Sequence, residues 1–125
     1  MNPETLRYSE QHEYAGVEGN TATCGITDYA QGSLGDITFV ELPDVGKELK
    51  KGEEACAIES AKAASSVYAP VSGKIVAVNE ALEDDPAPVN DDPYGDGWIF
   101  KIEMADASEA EQLMDAAAYD AIEKE

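Results

Sequence analysis

Lys62 is the residue in this chain that is best placed to carry covalent chemistry. A strand-like run precedes it at 54–59, and another follows it at 63–68. Ser60 to Ala63 is therefore predicted to form the tip of a hairpin, with the lysine amine projecting into solvent among small side chains. An enzyme that modifies amines would find this lysine accessible, but an ordinary solvated surface lysine has the same pattern. The residues alone leave both interpretations open.

The rare reactive residues exclude several kinds of chemistry. His12 is the single histidine, so metal sites built on two histidines are absent, and no metal is expected. Cys24 and Cys56 lie far apart with no C-x-x-C motif, and their apolar neighbours predict buried free thiols. The chain also lacks a plausible nucleophile–base pair and a phosphate-binding glycine loop, so we do not expect it to be an enzyme by itself.

The first hundred residues are predicted to be short strands separated by turns. Alternating or apolar runs place strands at 13–15, 21–26, 36–42, 54–59, 65–69, 74–79 and 97–102. Between the second and third of these, Thr27 or Asp28 can cap one or two helical turns that end at Gly35. The segment 83–97 holds three prolines, two glycines and six acids, which indicates a loop.

The C-terminal segment has a different composition, rich in alanine and acidic residues. Ser108 and Glu111 have the spacing of a capping box. An apolar stripe follows, formed by Leu113, Met114, Ala117, Ala118, Ala121 and Ile122. The pattern predicts an amphipathic helix over about 106–124 that packs on a β core of about 5–103.

A short repeat indicates how the strands are arranged. The segments 43–47 and 70–74 both have the pattern P-x-x-G-K, and each lies between two strand-like runs. Two strand–turn–strand halves that meet at 59–63 predict a small sandwich with internal pseudo-twofold symmetry. The predicted fold class is therefore mostly β, a flattened β-sandwich in a single domain over 1–125, with a short helix in the N-terminal half and a helix at the C-terminus.

The charge balance is strongly acidic. Asp and Glu number 27 against 8 Lys and Arg, a net charge of −19. Such a surface repels phosphate backbones and anionic lipids, so neither nucleic acid nor a membrane is an expected partner. Residues 1–4 do not begin a signal peptide, and we expect the cytoplasm of a prokaryote. The acidity resembles that of proteins from salt-in halophiles, in which salt screening stabilises the fold.

Several segments, in their order along nearly the whole chain, resemble the H-protein family of the glycine cleavage system. They are His-Glu-Tyr at 12–14, Gly-Ile-Thr-Asp-Tyr-Ala-Gln at 25–31, Leu-Gly-Asp-Ile at 34–37, Val-Glu-Leu-Pro at 40–43, Glu-Ser-Ala-Lys-Ala at 59–63, Pro-Val-Ser-Gly at 70–73, Val-Asn-Glu at 78–80, Asn-Asp-Asp-Pro-Tyr-Gly at 90–95 and Gly-Trp at 97–98. The resemblance implies a sandwich of the biotinyl/lipoyl carrier type, a barrel-sandwich hybrid. It also implies that Lys62 carries lipoate in amide linkage.

The same resemblance implies a set of partner enzymes. In the family, glycine decarboxylase uses pyridoxal phosphate to decarboxylate glycine and passes the aminomethyl group to a lipoyl sulfur. An aminomethyltransferase releases ammonia and transfers the one-carbon unit to tetrahydrofolate. Dihydrolipoyl dehydrogenase, an FAD enzyme, reoxidises the dithiol with NAD, and a lipoylating enzyme attaches the cofactor. The protein would then be a non-catalytic carrier of glycine catabolism and one-carbon metabolism, because the cofactor supplies the chemistry.

Further residue roles follow from the resemblance only. Glu59, Ser60, Ala61 and Ala63 would form the turn that the lipoylating enzyme recognises. Glu13 matches a position lining a cleft that shelters the loaded arm, where a carboxylate can pair with the aminomethyl ammonium. The chain departs from the family pattern at Tyr14, usually tryptophan, at Ala61, usually valine, and at Ser66, commonly aspartate.

Two other functions remain compatible with the sequence. A lipoyl carrier or donor that serves 2-oxoacid dehydrogenases or a sulfur-oxidising complex would be modified at the same Lys62. An unmodified acidic β-sandwich that only binds a partner is the other. A biotin carrier fits less well, because such domains usually place the lysine between methionines, whereas Ala61 and Ala63 stand here.

Overall fold

Two antiparallel sheets, neither of them closed, form the framework of the computed structural model, which describes residues 2–122. The strands are β1 (Arg7–Tyr8), β2 (Glu13–Glu18), β3 (Thr21–Ile26), β4 (Ile37–Glu41), β5 (Glu48–Leu49), β6 (Glu54–Ser60), β7 (Ala64–Tyr68), β8 (Gly73–Val78) and β9 (Phe100–Met104). One sheet has six strands in the order β1-β2-β3-β9-β8-β5, and the other has three in the order β4-β6-β7. The mostly-β prediction is confirmed.

The helices are short. A 3₁₀ turn spans Pro3–Thr5, and the α-helices are α1 (Asp28–Leu34), α2 (Ala81–Asp84), α3 (Ala87–Asp91), α4 (Ser108–Glu111) and α5 (Ala116–Ala121). The predicted helical turns after β3 are confirmed as α1. Thr27 caps this helix, since its hydroxyl accepts a hydrogen bond from the Ala30 N–H at 3.2 Å. Gly35, at φ +80°, ends it in a conformation that glycine adopts readily.

The prediction of one continuous C-terminal helix over 106–124 is wrong within the described residues, because α4 and α5 are separate. Between them the backbone of Met114 pairs with β1, donating to Tyr8 O at 2.9 Å and accepting from Tyr8 N at 2.8 Å. These groups cannot also serve a helix, so the helix ends. Asp115 starts the next helix by accepting from Ala118 N at 2.8 Å. Residues 123 and 124 of the predicted helix lie outside the described part.

The segment predicted as a loop over 83–97 contains the end of α2 and all of α3. Pro86 and Pro88 lie at the start of α3, where the missing proline N–H costs no helical hydrogen bond. The strand predicted from residue 97 begins only at Phe100. Gly97 N and Trp98 N instead donate to the turn before them, at 2.8 and 3.2 Å.

The P-x-x-G-K repeat marks two equivalent crossings between the sheets. The segment 43–47 leads from β4 to β5, and the segment 70–74 leads from β7 into β8. The two crossings meet, because Gly46 N donates to Ile75 O at 2.7 Å and Ile75 N donates to Lys47 O at 2.9 Å. This arrangement agrees with the two strand–turn–strand halves expected from the sequence.

Both sheets contribute to one buried apolar cluster that includes Val40, Ile58, Phe100 and Ile102. Cys24 and Cys56 belong to it and are free, as the sequence predicts. Burial raises the pKa of the Cys56 thiol to about 12, and the nearby Glu13 carboxylate adds to the shift. Burial raises the pKa of the Cys24 thiol as well, so both thiols stay protonated and are packing residues.

A second buried cluster joins the two ends of the described chain. It consists of Leu6, Tyr8, Tyr14 and Tyr119, with the rings of Tyr8 and Tyr119 stacked at 4.6 Å. His12 Nδ1 lies 2.7 Å from the Tyr119 hydroxyl, so the turn before β2 is tied to α5. Within residues 2–122 no helix has the length and apolar character needed to cross a membrane.

Candidate functional site

Lys62 lies at the tip of the β6–β7 hairpin and is exposed. The two strands pair from Glu54↔Tyr68 at the base to Glu59↔Ala64 below the tip. At the tip, Ser60 N donates to Ala63 O at 2.8 Å, which closes the turn. The sequence prediction of a lysine on a hairpin turn therefore agrees with the structure.

The Ser60 side chain fixes the backbone of this turn. Its hydroxyl donates to Ala63 O at 3.0 Å and accepts from Lys62 N at 3.3 Å and Ala63 N at 3.1 Å. Serine hydroxyls stabilise turns in this way because they bond backbone groups two or three residues away. Ser60 therefore presents the lysine in one backbone conformation.

The segment after α1 supports the hairpin from one side. Ala61 N donates to Asp36 O at 3.2 Å. The Lys62 side chain passes over Gly35, where a Cβ atom would lie 3.6 Å from Lys62 Cε. The outer part of the lysine side chain, at Cδ and Cε, therefore lies beside Gly35, while the turn residues next to Lys62 are exposed alanines.

Asn90 on α3 holds this supporting segment in place. Its side-chain amide donates to Gly35 O and to Gln31 Oε1, both at 2.9 Å, and its Oδ1 accepts from Ile37 N at 2.8 Å. Sequence reasoning did not assign this role. The only signal was that Asn90 begins one of the segments that resemble the family, and the hydrogen bonds span more than 50 residues of sequence.

The structure brings together only some of the predicted site residues. Glu59, Ser60, Ala61 and Ala63 surround Lys62 at the hairpin tip. Glu13 lies on β2 of the other sheet and meets the opposite end of β7, where its carboxylate accepts from Tyr68 N at 3.2 Å. Tyr68 lies four residue steps along the extended strand from Ala64, which amounts to roughly 13 Å.

Glu13 is the only buried carboxylate among residues 2–122, with 2% of its surface exposed. Burial raises its pKa above the ordinary value, while hydrogen bonds from the Ser9 hydroxyl and Tyr68 N lower it in part. The Ser9 bond measures 2.6 Å. Both donors are neutral, so these two hydrogen bonds stabilise the ionised carboxylate without neutralising it.

A groove of about 420 Å³ opens beside Ser9, one of the two hydrogen-bond donors to Glu13. Ser9 and Gln11 line one side, and Ala69 and Pro70, which directly follow Tyr68, line another. The segment between α4 and α5 completes the wall with Leu113. The groove therefore lies at the end of the hairpin that is remote from Lys62.

Ser66, which stands where the family commonly has aspartate, is hydrogen-bonded to an acidic residue. Its hydroxyl donates to Glu54 Oε2 across the β6–β7 pair. A carboxylate is therefore held next to this position, supplied by the neighbouring strand.

A flattened pair of antiparallel sheets with an exposed lysine on a tight hairpin defines a carrier domain of the lipoyl type. The family model described as "Glycine cleavage H-protein" matches residues 6–125. The chain therefore belongs to the glycine cleavage H-protein family. Members of this family are lipoyl-bearing carrier subunits, so membership supports a lipoyl carrier role in glycine cleavage alongside the other enzymes of that system.

Individual relatives agree with this assignment. The chain is 60% identical over 113 residues to the glycine cleavage system H protein of Beijerinckia indica, covering 90% of this chain and 91% of the relative. It is 56% identical over 121 residues to that of Chromohalobacter salexigens, covering 96% and 92%. The crystal structure of a glycine cleavage system H protein from Mycobacterium marinum superposes with a TM-score of 0.86 at 37% identity, covering 94% of this chain and 95% of the other. This likeness confirms the predicted fold class.

Proposed function

We propose that this chain, as a single carrier domain, bears lipoate in amide linkage on Lys62 and shuttles the aminomethyl group of glycine. Glycine decarboxylase would load the carrier, aminomethyltransferase would unload it, and dihydrolipoyl dehydrogenase would reoxidise it. The observation that carries the proposal is the exposed Lys62 at the tip of a hairpin that three Ser60 hydrogen bonds hold rigid. The carrier itself performs no catalysis.

The residues at the tip fit a lipoyl group. Ala61 and Ala63 are exposed and too small to cover the amine, and Lys62 extends past Gly35 rather than into the core. Held on Lys62, lipoate would supply the cyclic disulfide chemistry needed to carry an aminomethyl group between enzymes and to be reoxidised with NAD.

Attachment of the cofactor requires the Lys62 amine to act as a nucleophile. The ammonium loses one proton, and the nitrogen attacks the carbonyl carbon of an acyl-adenylate that the lipoylating enzyme makes from the fatty acid and ATP. The second proton leaves as the amide forms and the bond to AMP breaks. The charge of Lys62 disappears, and a flexible arm replaces it.

Glu13 and its groove support a role in sheltering the cargo. A buried carboxylate with two neutral donors is stabilised by any cation that reaches it, because charge-assisted hydrogen bonds are stronger than neutral ones. The aminomethyl group is an ammonium at neutral pH. Ser9, which donates to the Glu13 carboxylate, lines the groove, so a cation that enters beside Ser9 would approach buried Glu13 and be held away from water, and the arm length needed is set by the extent of β7.

A reconstituted assay tests the proposal. The lipoylated chain is combined with glycine decarboxylase, aminomethyltransferase and dihydrolipoyl dehydrogenase, and NADH is measured. We expect turnover that needs both glycine and tetrahydrofolate. Lipoylation of Lys62 without any glycine-dependent turnover would contradict the glycine role and favour a carrier for another complex.

Removing the Ser60 hydroxyl should impair acylation of Lys62. In Ser60→Ala the Lys62 and Ala63 amides lose their acceptor, so the tip samples more conformations and about 1–2 kcal/mol of stability is lost. We expect acylation by a lipoate–protein ligase to slow by roughly tenfold. Ser60→Thr keeps a hydroxyl and is the matched control. Equal rates for the alanine variant and the parent chain would contradict the role given to Ser60.

A further inference from the structure

The outer face of the three-stranded sheet carries an exposed aromatic side chain next to the lysine hairpin. Phe39 on β4 is 46% exposed and lies directly opposite Glu59, three residues before Lys62. The pairing register of β4 with β6 shifts between Ile37 and Phe39, so Thr38 interrupts the alternation of inward and outward side chains. Phe39 therefore points outward, and the next residue, Val40, is buried. The ring is thus exposed by the strand geometry.

The side chains around Phe39 are small or acidic. Beyond Glu59, which is paired with Phe39, the residues Ala57 and Ala64 on the same outer face of β6 and β7 have small side chains. The carboxylates on this face come from Glu41, beside Ala57, and Glu59. Because side chains of directly paired residues share a face, these groups form one surface, which we call the Phe39 face.

The charge on this sheet is of one sign. The three strands β4, β6 and β7 contain Glu41, Glu54 and Glu59, all exposed, and neither lysine nor arginine. Lysines 47, 50, 51 and 74 lie instead in or next to β5 and β8 of the other sheet. The exposed Phe39 ring, with glutamate carboxylates around it, is complementary to a partner that has an apolar pocket with a basic rim.

We infer that the Phe39 face is the docking surface for the enzyme that acylates Lys62. That enzyme would receive the Phe39 ring in an apolar pocket and would place Lys or Arg side chains opposite the carboxylates of Glu41 and Glu59. The inference rests on the proposed lipoylation. The acylating enzyme alone must bring its reacting atoms to Lys62 Nζ, whereas the other partners meet the far end of the arm. Its surface must therefore cover the hairpin, and the Phe39 face is continuous with that hairpin through Glu59.

Steady-state acylation tests this inference. A lipoate–protein ligase is supplied with ATP and octanoate, and the acylated carrier is quantified by intact mass over a range of carrier concentrations. For Phe39→Ala we expect KM to rise about tenfold, the effect of removing an aromatic anchor from an interface, with kcat within twofold. Phe39→Tyr keeps the ring and should stay close to the parent chain.

Val17→Ala is the matched control, because Val17 is 45% exposed but lies on β2 of the other sheet. Its KM should equal that of the parent. Phe39→Lys should raise KM more than Phe39→Ala, since a cation opposes the basic rim. Unfolding curves of each variant separate a loss of docking from a loss of fold.

The outcomes distinguish this inference from the proposed function. If the parent chain is not acylated, the proposed function fails and the docking surface fails with it. If the parent is acylated and Phe39→Ala matches Val17→Ala, the docking inference is overturned and the proposed function stands. The inference is also overturned if Phe39→Ala is acylated normally but lowers glycine-dependent turnover, because the face then serves a different enzyme.

Discussion

Lys62→Arg should abolish acylation and glycine-dependent turnover completely. Arginine keeps the positive charge and most of the length of the side chain, but its guanidinium stays protonated and is not a nucleophile at neutral pH. The hairpin should fold normally, because Lys62 contributes only its backbone to the Ser60 hydrogen bonds. Intact mass after incubation with a lipoate–protein ligase and NADH formation in the reconstituted system both measure the loss.

Lys74→Arg is the control for this prediction. Lys74 is an exposed lysine on β8, in the other sheet, and follows the same P-x-x-G pattern of turn residues as Lys47. The control should be acylated and turned over like the parent chain. Acylation of the Lys62→Arg protein at any other lysine, with turnover preserved, would contradict the assignment of Lys62.

Glu13→Gln should stabilise the fold at neutral pH and at the same time weaken protection of the cargo. The raised pKa means that folded Glu13 holds its proton more tightly than the unfolded chain does. The free energy of unfolding of the parent chain therefore falls as the pH rises from the ordinary glutamate pKa through the raised pKa of folded Glu13. The cause is that burial penalises the ionised carboxylate. Glutamine has nearly the same shape, can still accept from Tyr68 N, and carries no charge.

The two effects are measured separately. The melting temperature of Glu13→Gln relative to the parent should increase between pH 4 and pH 8, whereas Glu18→Gln, at an exposed position on the same strand, should show no such trend. Ammonia release from the loaded carrier without aminomethyltransferase should become roughly tenfold to a hundredfold faster, as expected for loss of a charge-assisted hydrogen bond.

A different pair of results would contradict the role proposed for Glu13. If Glu13→Gln melts at a lower temperature and holds its cargo as well as the parent, the carboxylate is a structural group that needs its charge. A residue that costs stability and improves function is expected at a binding site, where such trade-offs are common.

Local patterns predicted most of the framework and the position of the lysine. The alternation in β4, the small residues around Lys62 and the cap at Thr27 depend on neighbours within a few residues, so sequence spacing captures them. The resemblance to the family supplied the identity of the cofactor, which neither periodicity nor spacing around Lys62 contains.

Features that depend on distant contacts were not predicted. The break between α4 and α5 arises because Met114 pairs with Tyr8, more than a hundred residues away. Asn90 clamps Gly35 from another helix, and Glu13 meets Tyr68 across the two sheets. Such contacts override local helix preference and leave no periodic signal in the sequence. The groove beside Ser9 is likewise formed by four separate segments of the chain.

Peptide mass spectrometry of the protein isolated from its own cells tests the central claim most directly. The account predicts a lipoyl or octanoyl adduct confined to the peptide that contains Lys62, with the other lysines unmodified. An unmodified Lys62 in cells that make lipoate would contradict the carrier role and leave an acidic β-sandwich that only binds a partner.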